Sequence, residues 1–300
     1  MSFENPEHAA ARSIDNQTRK SEIDTVVQEM APYYESVSRR LDSMAIDPAD
    51  FTDLYGQETV AEDQRYVKRM QQRFTESAST EDTGLGLPTG EVRKLADVLE
   101  YQIITGINTH KWIPYCDAIK TSEYDDIKNG VDTVVEFTRG GMTNHFGLGV
   151  DVSFSKNLDA KFMRIQDDID SYDGKENRLG VVKYFQSEST GVRGELSGLP
   201  RVVAALDVGV IGDLMRQRRT ASDHISRHLV IAEMTEQLGV FSEYAAKRNP
   251  ACAGKLKRAH DFMSVINESL YCQQTIEDSD YIKNRGIQEE VAKNLERFRL

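Results

Sequence analysis

The spacing of apolar residues changes period twice along the chain, and that change limits the folds open to it. From Ile23 the apolar positions run Ile23, Val27, Met30, Tyr34, Val37, Leu41, Met44 in steps of four and three, the seam of a helix with one buried stripe. Between Trp112 and Asp207 the period drops to two, and short runs rich in Val, Ile, Phe and Tyr alternate with turn residues, as strands do. Beyond Val208 helical spacing returns, through Ile225 and Leu229, then Leu256, Met263 and Leu270, then Ile287, Val291, Leu295 and Phe298. Blocks in this order predict an α/β or α+β protein, a mixed central sheet flanked by helical N- and C-terminal regions.

The blocks have readable boundaries. The N-terminal seam reads as a helix packed on the protein's own core, with pairing to a second copy or to a partner protein as the alternative. Pro32 removes a helical hydrogen bond and predicts a kink or break near residues 31 and 32. A second helix is expected over 58–75. Residues 76–90, ESASTEDTGLGLPTG, are small, polar and glycine-bearing, the composition of a linker. Leu95, Val98, Leu99 and Ile103 mark a helix over 90–106 with Thr89 as its cap. The division is therefore a helical region 1–75, a linker 76–90, an α/β core 91–207 and a helical region 208–300. Strands are expected at 115–121, 131–138, 146–155, 179–185 and 201–206, with a hairpin through Gly140, Gly141 and Asn144. Leu158, Phe162, Ile165 and Ile169 mark a crossover helix long enough to lay the fourth strand parallel to a neighbour.

Composition excludes several classes. No run approaches the roughly 18 apolar residues of a membrane span, and the first thirty residues lack the apolar core of a secretory signal. Cys116, Cys252 and Cys272 are odd in number and widely spaced, neither a disulfide framework nor a metal knuckle, so a cytoplasmic location is expected. The net charge of −12 argues against a broad cationic face for nucleic acid. The acidity is uneven: residues 1–90 carry 17 Asp and Glu against 9 Lys and Arg, while 211–260 carry 5 against 9. Arg216, Arg218 and Arg219 are the candidate contacts to a nucleic-acid backbone, with internal pairing to the acidic N-terminal helices as the alternative.

Charges placed among β-branched residues cost free energy unless something uses them. In NGVDTVVEF, Asp132, Val134 and Glu136 share a strand face; in LGLGVDVSFS, Asp151 stands mid-strand between Gly149 and Ser153; in LGVVKYF, Lys183 is the one charge. A hairpin would make Asp132 and Asp151 cross-strand neighbours, and two carboxylates at that range repel unless a cation or a proton lies between them. Hard oxygen donors suit Mg2+, which takes one or two carboxylates beside a phosphate, and Lys183 from the next strand would neutralise charge on that phosphate. Spacing alone leaves the alternative that both acids cap turns or pair with Lys or Arg at a sheet edge.

The order of these residues resembles the PD-(D/E)XK nuclease-like superfamily over residues 91–207. Glu100 in LADVLEYQ matches the superfamily's helical acid, Asp132 its second-strand Asp, and Asp151 the first acid of its third-strand motif. Ser153 stands where the motif has lysine, and Lys183 is the replacement. The resemblance implies a restriction-endonuclease-like sheet and hydrolysis of DNA or RNA phosphodiesters. The catalytic set would be Glu100, Asp132, Asp151 and Lys183, and Glu100, Asp132 and Asp151 would hold Mg2+ or Mn2+. The alternative is a non-catalytic interaction or scaffold protein keeping a degenerate core.

Other features carry less. Glu123, Asp125 and Asp126 read as solvated loop acids, with added ligands or a second cation site as the alternative, and Glu136 reads equally as a secondary ligand or as an exposed acid near the strand end. His224 and His228 have the i, i+4 spacing of a zinc pair but lack the HExxH glutamate, which favours a partly exposed helix face. Cys116 reads as a small buried apolar residue. No phosphate-binding loop or nucleophile elbow is present.

Overall fold

The computed structural model describes residues 6–77, 89–139, 142–151, 156–175, 178–216, 224–271 and 278–299. Helix α1 (Pro6–Met44) runs through Pro32 without the expected break. Pro32 and Gln28, whose carbonyl loses its helical donor, are both exposed, so the freed acceptor lies on the solvent side. Ile23, Met30, Val37 and Leu41 are buried. After a 3-10 turn (Pro48–Phe51) come the one-turn α2 (Thr52–Tyr55) and α3 (Gln57–Ser77). The chain resumes at α4 (Thr89–Asn108), so Thr89 starts the helix instead of capping it, and residues 78–88 of the expected linker lie outside the described residues. The hydroxyl of Tyr34 donates to Asp97 at 2.6 Å and ties α1 to α4.

The sheet contains β1 (Cys116–Lys120), β2 (Thr133–Arg139), β3 (Met142–Asp151) and, further along the chain, β6 (Arg201–Ala205), in the order β1-β2-β3-β6. The first three strands are antiparallel and β6 runs parallel to β3. The expected hairpin joins β2 to β3, with Gly140 and Gly141 outside the described residues. Helix α6 (Lys156–Ser171) is the crossover, but the strand it brings beside β3 is β6. In between, β4 (Gly180–Gln186) pairs with β5 (Arg193–Leu199) in a separate two-stranded sheet, which corrects the expectation of a single sheet holding the fourth strand. The sequence RGELSGL of β5 hides its strand, because its glycines Gly194 and Gly198 take positive φ and its alternate residues are polar.

Both edges of the four-stranded sheet are closed by a side-chain amide from a neighbouring helix. Asn108, at the end of α4, accepts from the Ala118 N–H at 2.7 Å and donates to its carbonyl at 2.8 Å on β1. On β6, Gln237 of α8 (Ile225–Arg248) does the same for Val203, at 2.8 and 2.7 Å. Each amide satisfies backbone groups that an open edge would leave unpaired. Helices α7 (Val208–Arg216), α9 (Pro250–Tyr271) and α10 (Asp278–Leu295) complete the C-terminal region. One contiguous apolar core includes residues of α1, α4, the main sheet and α6 to α10. No helix among the described residues is long and apolar enough to cross a membrane.

Candidate active site

Alternate residues Cys116, Ala118 and Lys120 of β1 are buried, so the strand ends by carrying a lysine into the layer between the sheet and α4. There it meets Glu100, which lies on the buried stripe of α4 beside Leu99 and Ile103. The Lys120 ammonium is 2.9 Å from Glu100 Oε1, and the side chains are 9% and 7% exposed. Thr133, the β2 residue paired with Lys120, donates its hydroxyl to the same Glu100 oxygen at 3.0 Å. An ion pair this enclosed loses solvation from both partners, so the extra hydrogen bond from Thr133 matters to its balance.

Two further acids join it. Residues 123–129, expected as loop, form α5 (Glu123–Asn129), capped by Ser122 and closed by Gly130 at φ 65°. This short helix turns Asp126 toward Lys120, 3.7 Å from the ammonium, while 40% of the Asp126 side chain remains exposed. Asp132 follows immediately after the turn, before β2 begins. Its carboxylate adds repulsion to Asp126 and lies 4.0 Å from Lys161 of α6. Burial, outweighing the Lys120 charge, raises the Glu100 carboxyl to about 7, with Asp132 adding to the rise. The neighbouring Asp132 and Glu100 charges raise Asp126 above the ordinary carboxylate range. Lys120 is raised because the three surrounding acids outweigh its own desolvation.

The cluster stands at the end of the sheet where β1 ends, β2 begins and β3 reaches Asp151. Thr133 pairs with Leu148, so residue 132 faces position 149 and Asp151 lies two residues further on, paired with Ala205 of β6. The Asp151 side chain and all of Ser153 lie outside the described residues. Among the described residues no three Asp, Glu, His or Cys side chains converge closely enough to enclose a metal ion. Lys120 stands between them, as an internal cation would.

Lys183 is elsewhere. It lies on β4, outside the main sheet, where its ammonium pairs with Asp63 of α3. The rings of Tyr55, Tyr124 and Tyr184 surround it at 5.2, 5.4 and 5.2 Å. The expectation that Lys183 approaches the acids from an adjacent strand fails because β4 leaves the main sheet to pair with β5. Asp125, read as solvated, is buried and ties α5 to β4 by accepting from the Lys183 and Tyr184 N–H groups at 2.6 and 3.0 Å. Glu136 does not share the surroundings of Asp132. It is 2% exposed and binds His145 at 2.7 Å and Ser187 at 2.6 Å. His224 caps α8, accepting from the Ser226 N–H, and both His224 and His228 are buried, which corrects the exposed-face expectation. Arg216 pairs with Glu29 of α1 and with Asp213, each at 2.8 Å, while Arg218 and Arg219 lie outside the described residues. Cys116 is buried as expected.

Sequence reasoning missed Lys120, Thr133 and Lys161. One signal for Lys120 was available: in CDAIK the alternation places it on the same strand face as Cys116 and Ala118. No family model, curated protein or solved structure matches the chain.

Proposed function

We propose that the protein is a Mg2+-dependent nuclease that hydrolyses DNA or RNA phosphodiesters on a restriction-endonuclease-like core. The observation that carries the reading is the meeting of Glu100 from α4, Asp132 from the start of β2, and Lys120, at the sheet end where β3 delivers Asp151. The strand order supports it: a helix, three antiparallel strands, a crossover helix, then a strand parallel to the third. The donor type suits the cation, since carboxylates supply the hard oxygen atoms that Mg2+ takes.

In this reading Glu100, Asp132 and Asp151 hold Mg2+, or Mn2+ in its place. When bound, the cation supplies a polarised phosphoryl oxygen and a water of lowered pKa. Lys120 takes the part first assigned to Lys183 and offsets negative charge at the phosphate. Thr133 fixes the Glu100 carboxyl against rotation.

One observation favours a second reading, an interaction or scaffold protein with a degenerate core: Lys120 already bridges the acids from within. Titration calorimetry with Mg2+ and Mn2+ decides between them, alongside cleavage assays on labelled DNA and RNA. The nuclease binds either cation and cleaves in its presence, and Asp132→Asn and Asp151→Asn lose both properties. Absence of heat and of cleavage in the wild type leaves the scaffold.

A further inference from the structure

Residues 64–75 of α3, QRYVKRMQQRFT, contain four cations and no acid in a chain of net charge −12. Arg65, Lys68, Arg69 and Arg73 are all exposed. Among the described residues none of the four has an ion-pair partner, in contrast to Arg216, which Glu29 and Asp213 occupy. Arg65, Arg69 and Arg73 recur every fourth residue, so they rise about 6 Å apart along one helix flank. That step spans close to two charges of a duplex strand, at about 3.4 Å each.

Beside this flank, α3 and α5 enclose an open cleft of ≈ 450 Å³. Arg65, Tyr66, Arg69, Tyr124 and Lys128 line it, and Lys128 stands 5.3 Å from the centre of the Tyr66 ring. Of the two acids at its rim, Asp63 is consumed by Lys183 and Tyr184, which leaves Glu62. The cleft therefore offers guanidinium and ammonium groups beside aromatic rings, the combination that holds phosphates and stacks bases. It also adjoins the acid cluster. Helix α5 has seven residues, hence about 10 Å of length, and carries Lys128 and Tyr124 toward α3 and Asp126 toward Lys120.

We propose that the basic flank of α3, with Lys128 of α5, binds the phosphate backbone of a polynucleotide and leads it to the acid cluster. The proposal rests on the nuclease reading for the use of the bound strand, and names the surface that holds it. This surface replaces the Arg216 region as the principal backbone contact.

The test is fluorescence anisotropy of a labelled mixed-sequence DNA, single-stranded and duplex, titrated with the full-length protein in EDTA over a range of salt. Wild-type protein binds, with affinity falling as salt rises. Arg65→Gln/Arg69→Gln/Arg73→Gln weakens binding about tenfold or more and lowers the salt slope by about one for each lost phosphate contact. All three positions are exposed, and an unchanged thermal melt confirms folding. Wild-type affinity in the triple variant, or a flat salt dependence in the wild type, overturns the proposal. So does equal competition by poly-glutamate, which would make the face a general polyanion surface. Salt-sensitive binding through α3 without cleavage by the wild type sinks the nuclease reading and keeps the surface. Unimpaired cleavage by the triple variant does the reverse.

Discussion

Lys120 and Lys183 are both strand lysines held between layers, and their surroundings differ in one respect that matters. Lys183 faces one carboxylate, Asp63, and three tyrosine rings; the charges balance and the rings add attraction without adding charge. Lys120 faces Glu100, Asp126 and, through their coupling, Asp132, so the acids outnumber the nearby ammonium and their carboxyls are raised. A balanced pair under aromatic cover is a clamp that fastens α3 to β4. An unbalanced cluster at a sheet end attracts protons or a cation, and chemistry can be built on that imbalance. The residue that stood out in the sequence has the balanced surroundings, and the residue that did not has the unbalanced ones.

The contrast breaks most visibly in activity. Asp132→Asn should lower Mg2+-dependent phosphodiester hydrolysis by about a hundredfold or more, because losing a metal-binding carboxylate removes several kcal/mol of transition-state stabilisation. Lys183→Met, remote from the cluster, should leave the turnover of folded protein within about twofold. A hundredfold loss in a folded Lys183→Met protein would reverse the roles assigned to the two lysines. The same Lys183→Met change should instead cost about 2–4 kcal/mol of stability in urea unfolding, since it strands Asp63 in a site where the two side chains are 19% and 15% exposed.

Cation binding should separate the regions next. Saturating Mg2+ at about a hundred times its Kd should stabilise the wild type by about 2.7 kcal/mol, read as a higher melting temperature. Asp132→Asn should lose that shift and Lys183→Met should keep it.

The smallest effect is in the pH profile. A carboxyl raised in the folded state binds its proton more tightly there than in the unfolded chain, so it contributes stability that is fully present below about 4.5, the ordinary value for a glutamate, and is lost as pH rises through about 7. Asp126 has a shift of the same sign. Stability should therefore decline across this window, and Glu100→Gln should flatten its part of the decline. An unchanged slope in that variant would remove Glu100 from the titrating cluster.

Much of the architecture was legible because it depends on local periodicity. The helical blocks, the β2–β3 hairpin and the crossover helix follow from which residues recur at 3.6 or at 2, and burial of Val135, Phe146, Phe162 and Val203 agrees with that pattern. The short α5 was missed because it shows no apolar repeat; Ser122 caps it and Asp125 is buried by contacts to β4, 58 and 59 residues away in sequence. The strand β5 was missed because its pairing to β4 compensates for two glycines and alternating polar residues.

By itself the sequence determined a strand-bearing core between helical regions and the placement of Glu100 on a helix and Asp151 on the third strand, while Asp132, expected on the second strand, comes just before it. Alternation and helical spacing are properties of neighbouring residues, so they survive without knowledge of the rest of the chain. Only the tertiary structure decided which lysine meets those acids, that Gln237 and Asn108 close the sheet edges, and that Arg216 is paired with Glu29 and Asp213 while, among the described residues, the cations of 64–75 in α3 have no acid partner. Those outcomes turn on the separation of groups distant in sequence. Coulomb and hydrogen-bond energies fall too steeply with distance for residue type alone to settle them.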